Sequence, residues 1–125
     1  LPLSDDGKVR DGVMRQRIVS HLMTKQVVEL TERRAFEEGM AGYFDMRVVN
    51  IFKYVGTEDQ KDKADLIVDI LGLTATRWDE ESNEADLYRA TAEWMSSKAN
   101  TIAGGSSEVQ LNVVAKHSLG LPDAQ

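Results

Sequence analysis

One run near the C-terminal end, Thr101-Ile-Ala-Gly-Gly-Ser-Ser-Glu-Val-Gln110, gathers the residue types that hold an anionic group. Gly104 and Gly105 let the backbone turn tightly and approach a ligand, and Ser106 and Ser107 supply hydroxyls. A helix opening directly afterwards offers amides that have no acceptor within their own helix. A helix N-terminus behind a glycine-rich turn suits phosphate, because those amides and the helix dipole both favour negative charge. The same residues also fit a plain helix–helix turn in which the serines only cap the next helix. A Walker loop is excluded, since no Gly-Lys-Ser or Gly-Lys-Thr occurs and no strand precedes the run.

Other chemistry-bearing residues are scattered. His21 falls on the apolar side of a helical pattern with no Glu-x-x-His partner, which reads as a packed or half-exposed histidine and not a ligand. His117 sits near a helix end, where a cation suits the dipole. Glu58, Asp62, Asp65 and Asp69 align at helical spacing, but Lys53, Lys61 and Lys63 lie among them, so they read as a solvated face. Asp79, Glu80, Glu81, Glu84 and Asp86 read as an acidic approach to a helix, and Trp78 and Trp94 as packing anchors. No Ser-His-Asp or metal-ligand set is present, so no metal is expected.

Four helical patterns must position these residues. Ser4, followed by Asp5 and Asp6, is the candidate N-cap of a helix over residues 5–38 with Met14, Ile18, Leu22, Val28 and Phe36 as its apolar positions. Gly7 and Gly12 weaken its first turns, and Gly39 and Gly42 close it. A second pattern over 45–71 starts at Asp45 and ends at Gly72, with Gly56 as a candidate bend. The third, over 83–100, takes Ser82 or Asn83 as cap and carries a narrow stripe of Ala85, Tyr88, Ala92, Met95 and Ala99. The fourth, over 107–119, opens on a Ser107–Gln110 capping box with Glu108 in its first turn and Val109 and Val113 on one face. Gly120 is its left-handed cap, Leu121 its returning hydrophobic contact, and Pro122 its stop. Short connections between such helices predict one all-α, up-and-down bundle over residues 1–125.

Composition narrows the partners. The 125 residues, 42% hydrophobic and 29% charged, suffice for one domain. A net charge of -6 and a pI near 4.9 argue against nucleic acid or an anionic membrane surface. The absence of cysteine suits a reducing compartment, and neither a membrane span nor a secretion signal is present, so a cytoplasmic location is expected. The chain opens on Leu1 and not on Met, which points to a piece of a longer polypeptide.

The block Thr101 to Gln110, with Asn112, Ala115, Lys116 and Leu119-Gly-Leu-Pro122, resembles the end of the acyl-CoA dehydrogenase family, whose last helix opens on Gly-Thr-Ser-Glu-Ile-Gln. Outside residues 101–122 the agreement lies in helix order and length. The resemblance implies the C-terminal helical bundle of a flavoenzyme in which FAD is held between this bundle, an N-terminal helical domain and a β domain at a dimer interface. The first helix of that bundle has no counterpart here. Asp69-Ile-Leu-Gly-Leu-Thr-Ala-Thr76 stands where many members carry Gln-x-x-Gly-Gly-x-Gly against the FAD pyrophosphate.

Carried over by position, the resemblance implies that Ser106, Ser107 and Glu108 contact FAD and that Gly104 and Gly105 lie beside the acyl thioester. Gly104 occupies the usual position of the glutamate base that removes the α-proton, so no catalytic residue is expected in this chain. Lys116 matches a basic position near the coenzyme A phosphates, and Leu111 replaces a frequent arginine. The expected whole enzyme oxidises an acyl-CoA to the 2,3-enoyl-CoA and passes electrons to an electron-transfer flavoprotein, with FAD bound in the full-length enzyme and not by this chain alone, and with this chain inactive alone and homo-oligomeric. The alternative is a non-catalytic helical module that keeps the bundle for oligomerisation.

Overall fold

The computed structural model describes residues 2–76 and 85–122. Helix α1 spans Gly12–Met40, α2 Met46–Leu71, α3 Ala85–Asn100 and α4 Ser107–Val113. A 3-10 turn, Gly72–Thr76, extends α2, and a π turn, Val114–Ser118, extends α4. No strand occurs among the described residues; Leu3 and Val9 form an isolated bridge. The fold is therefore the expected all-α one. No helix is long and apolar enough to cross a membrane among those residues.

Local rules explain most helix ends. Asp45 caps α2 by accepting from the Arg47 amide, and Gly72 closes it at a φ of 59°. α1 starts later than expected, at Gly12, because Asp11 accepts from the Val13 and Met14 amides. Ser4, the expected cap, instead closes a surface turn, its hydroxyl shared between Asp6 and the Lys8 carbonyl. α2 runs unbroken through Gly56. The expected cap positions Ser82 and Asn83, the acidic run 79–84 and Trp78 lie outside the described residues.

α2 is the spine, with every other helix packed on it and α1 touching nothing else among the described elements. Arg17 pairs with Asp69 and His21 with Asp59, so α1 runs antiparallel to α2. α3 does too: Thr91 bonds Ala75, Trp94 and Lys98 bond Asp65, and Asn100 bonds Gln60. α4 does not reverse again. Ser107 meets Glu58 while Ser118 meets Arg47, so α4 continues in the direction of α3 along the other half of α2. The lengths agree: the 26 residues of α2 rise about 39 Å, and the 16, 7 and 5 residues of α3, α4 and the π turn about 42 Å. The glycine hinge is the step between two helices in tandem.

The buried apolar side chains among the described residues are small or few: Ala64, Leu66 and Ala75. Thr91 and Ser97 are buried on α3, their hydroxyls satisfied by the Ala75 and Trp94 carbonyls. Met95 and Ala99, expected in the apolar stripe, are exposed instead, because α3 turns this polar side to α2. On α1, Met14, Ile18, His21, Val28 and Ala35 are half-buried. Leu22 and Phe36 are exposed, contrary to expectation, since both lie off those α2-facing positions. Leu22 joins Val19, Met23, Val27 and Leu30 in a second apolar stripe that no described element covers.

Candidate functional site

The site is built by the end of α3, the hinge and the start of α4, all resting on the middle of α2. α3 unwinds through turns in which Ile102 and Ala103 donate to the Ala99 carbonyl and Gly105 to that of Ile102. Gly104 and Gly105 then take φ values of +73° and +108°, the left-handed region where a side chain is strained. At Gly105 space matters as well, since a Cβ there would lie 2.7 Å from Gln110 Nε2.

Ser106, not Ser107, caps α4, with its Oγ accepting from the Val109 amide at 3.4 Å. The capping box is thus displaced: Gln110 reaches back to the Gly104 carbonyl at 3.0 Å and not to the cap amide. Ser107 is free of capping and donates its hydroxyl to Glu58 Oε1 at 2.7 Å. The amide of Ser107 donates to no acceptor among the described residues. Gly104 and Glu108 are exposed, and Gly105, Ser106 and Ser107 half-buried, so the hinge lies at the surface.

Charge around the hinge is balanced. The Lys61 ammonium, then the Ser107 hydroxyl, hold the Glu58 carboxyl below the usual carboxylate range. The Ser106 hydroxyl does the same to Glu108. Both serine protons are therefore directed at carboxylates, and what remains to meet an anion is chiefly backbone amide.

The structure brings Gly104, Gly105, Ser106, Ser107 and Glu108 together as one edge. Lys116 is separate: it follows Ser107 by two and a half turns, roughly 13 Å along the axis, and is exposed. His21 is the packed histidine expected, its side chain 14% exposed and its Nδ1 3.2 Å from Asp59 Oδ1. That oxygen is buried and has no hydrogen-bond partner among the described residues. The acidic row of α2 is not one solvated face. Asp69 takes Arg17, Asp65 takes Trp94 and Lys98, and Glu58 takes Ser107 and Lys61; Asp62 alone of the four is both exposed and outside these contacts. No cluster of His, Cys, Asp or Glu suited to a metal occurs among the described residues.

Sequence reading missed Lys53. Its Nζ donates to the carbonyls of Gly105 at 2.8 Å, Asn100 at 3.2 Å and Thr101 at 3.4 Å. The only available signal was its position four residues before Thr57 and five before Glu58, on the face of α2 that receives the hinge.

The described residues thus form an all-α arrangement in which a left-handed glycine hinge precedes the last helix. The family model described as "Acyl-CoA dehydrogenase, C-terminal domain" matches residues 6–119, and the chain belongs to that family. The match reaches well beyond the terminal block that carries the resemblance, through α1 and α2. Neither a curated protein nor a solved structure matches the chain.

Proposed function

We propose that this chain is the C-terminal domain of an FAD-dependent acyl-CoA dehydrogenase-like oxidoreductase, presenting the Gly104–Glu108 edge to FAD and to an acyl thioester held by other domains. The observation that carries the reading is the hinge itself: two glycines in conformations closed to other residues, at the surface, directly before amides with open donor capacity. These residues fit a nucleotide phosphate as an amide edge. When bound, FAD supplies the acceptor for the hydride leaving the acyl β-carbon.

Within the chain, Ser106, Ser107 and Glu108 hold the cofactor side of the edge. Gly104 and Gly105 leave room for the thioester, and Lys116 serves the coenzyme A phosphates farther along the helix. No residue here takes the α-proton. Gly104 has no side chain, and the carboxyls nearest the hinge, Glu58 and Glu108, are both held below their ordinary range, which makes them weaker bases. The chain alone is therefore inactive. The parent enzyme would be cytoplasmic, which the lack of cysteine in this chain suits, and would pass electrons to an electron-transfer flavoprotein.

Because other domains hold most of the cofactor, FAD at millimolar concentration, far above what the intact site would need, should move the amide signals of Gly104 to Glu108 in the ¹⁵N-labelled chain and leave those of mid-α1 in place. Acyl-CoA oxidation by this chain alone would refute the assignment of the base to another segment. The bare stripe Val19, Leu22, Met23, Val27 and Leu30 favours a second reading, a helical module kept for self-association. Both readings expect oligomers. A chain that associates but shows no FAD-dependent shift at the hinge supports the second.

A further inference from the structure

The hinge does not hold its own shape. Its two left-handed residues are strained for anything but glycine and open to many conformations for glycine, so some external contact must select this one. Within the hinge the side-chain contacts are local: Gln110 Nε2 to the Gly104 carbonyl, and Ser106 Oγ to the Val109 amide and the Glu108 carboxylate. The remaining contacts come from one turn and a half of α2.

Lys53 faces three carbonyls that no helix amide can satisfy together: Asn100 and Thr101, where α3 ends, and Gly105, just before α4 begins. An ammonium with three donors suits three acceptors in different directions better than a planar guanidinium. It also meets the negative end of the α3 dipole. Five residues on, Glu58 takes the Ser107 hydroxyl, which fixes the other side of the step. Thr57 lies between them, its Oγ1 donating to the Lys53 carbonyl at 2.8 Å.

We propose that Lys53 is the positioning residue of the Gly104–Glu108 edge: by gathering the carbonyls of Asn100, Thr101 and Gly105 onto one ammonium it sets the hinge that presents the amides. The clamp deepens the FAD reading and rests on it for its purpose, although its mechanical part stands separately. Lys53 touches no ligand in this scheme and acts only through the backbone. Glu58 is the second arm, and the two belong to one element, so the hinge inherits its geometry from α2.

The test is amide hydrogen exchange by NMR on the whole chain, comparing Lys53→Met with Lys63→Met, which removes the same charge from an exposed site on the same helix. In K53M the Gly105 and Gln110 amides, which donate to the Ile102 and Ser106 carbonyls, should exchange roughly tenfold faster, the scale of about one charge-assisted hydrogen bond. The amides of Val28 and Ile67 should keep their protection, and K63M should match the unaltered chain. Unchanged hinge exchange in K53M, or equal acceleration in K63M, overturns the clamp. If K53M does not fold, the unaltered chain still decides. A slowly exchanging Lys53 ammonium signal with cross-peaks to Gly105 supports the clamp, and one exchanging as fast as that of Lys63 overturns it. FAD is the separate arm. Hinge signals unmoved by FAD sink the cofactor reading and leave the clamp to the exchange data, whereas FAD affinity equal in K53M and the unaltered chain overturns the positioning role.

Discussion

At the scale of single residues, the hinge depends on atoms that glycine lacks. Gly105→Ala would force a Cβ against Gln110 Nε2 and place alanine at a φ of +108°. Gln110 can swing away, but only by releasing the Gly104 carbonyl. The expected loss is about 1–2 kcal/mol, the scale of a left-handed penalty, read as a shift in the urea midpoint. Gly56→Ala should do the opposite. Gly56 lies inside α2 with open space around its missing Cβ, so alanine should stabilise by about 0.5–1 kcal/mol in the same assay.

Glu58 adds a pH dependence whose sign follows from its partners. Lys61 and Ser107 lower its folded-state pKa, so the ionised form is the one the fold prefers. Its contribution is complete above about pH 4.3, the value of an unperturbed glutamate, and is lost as pH falls through the lower folded value. Thermal melts between neutral and acidic pH should show this acid loss in the unaltered chain. Glu58→Gln should melt lower near neutrality and show a shallower fall. An unaltered slope would mean that Glu58 is not held by these contacts.

At the scale of elements, what could be read in the sequence was what neighbouring residues decide. Asp45 as a cap, Gly72 and Gly120 as left-handed stops, and the start of α4 at Ser107 all follow from chemistry within a few positions. The start of α1 did not, because Ser4 and Asp11 are both good caps and only the turn closed by Ser4 separates them. On α3 Met95 and Ala99 depart from the expected stripe, while Tyr88 and Ala92 are half-buried, because part of the buried side is polar: Thr91 and Ser97 hide behind carbonyls that no hydrophobic period reveals. Lys53 and Glu58 were illegible for a different reason. Their partners lie 52 and 49 residues away, and on a helix rich in alternating charge they look like any solvated pair. The candidate edge at residues 104–108 was visible in the sequence; what holds it was not.

At the scale of the whole molecule, the bundle has more apolar surface than it covers. Val19, Leu22, Met23, Val27 and Leu30 form an exposed stripe along α1. Sedimentation should find the chain self-associated at micromolar concentration. Leu22→Lys, on an exposed position that α2 does not need, should weaken association by roughly tenfold or more, the effect of losing one buried leucine. Helix content by circular dichroism should not change. A monomer in the unaltered chain would count against the oligomeric part of both functional readings.

The tandem seating of α3 and α4 on one helix has a consequence for how such a chain tolerates insertions and deletions. One residue inserted into α2 between Glu58 and Asp65 would rotate everything beyond it by about 100°. The grip on the hinge would keep its phase while Asp65 swung away from Trp94 and Lys98. Length changes in that stretch should be accepted only in steps near whole turns, as in a gear train whose two wheels share one shaft.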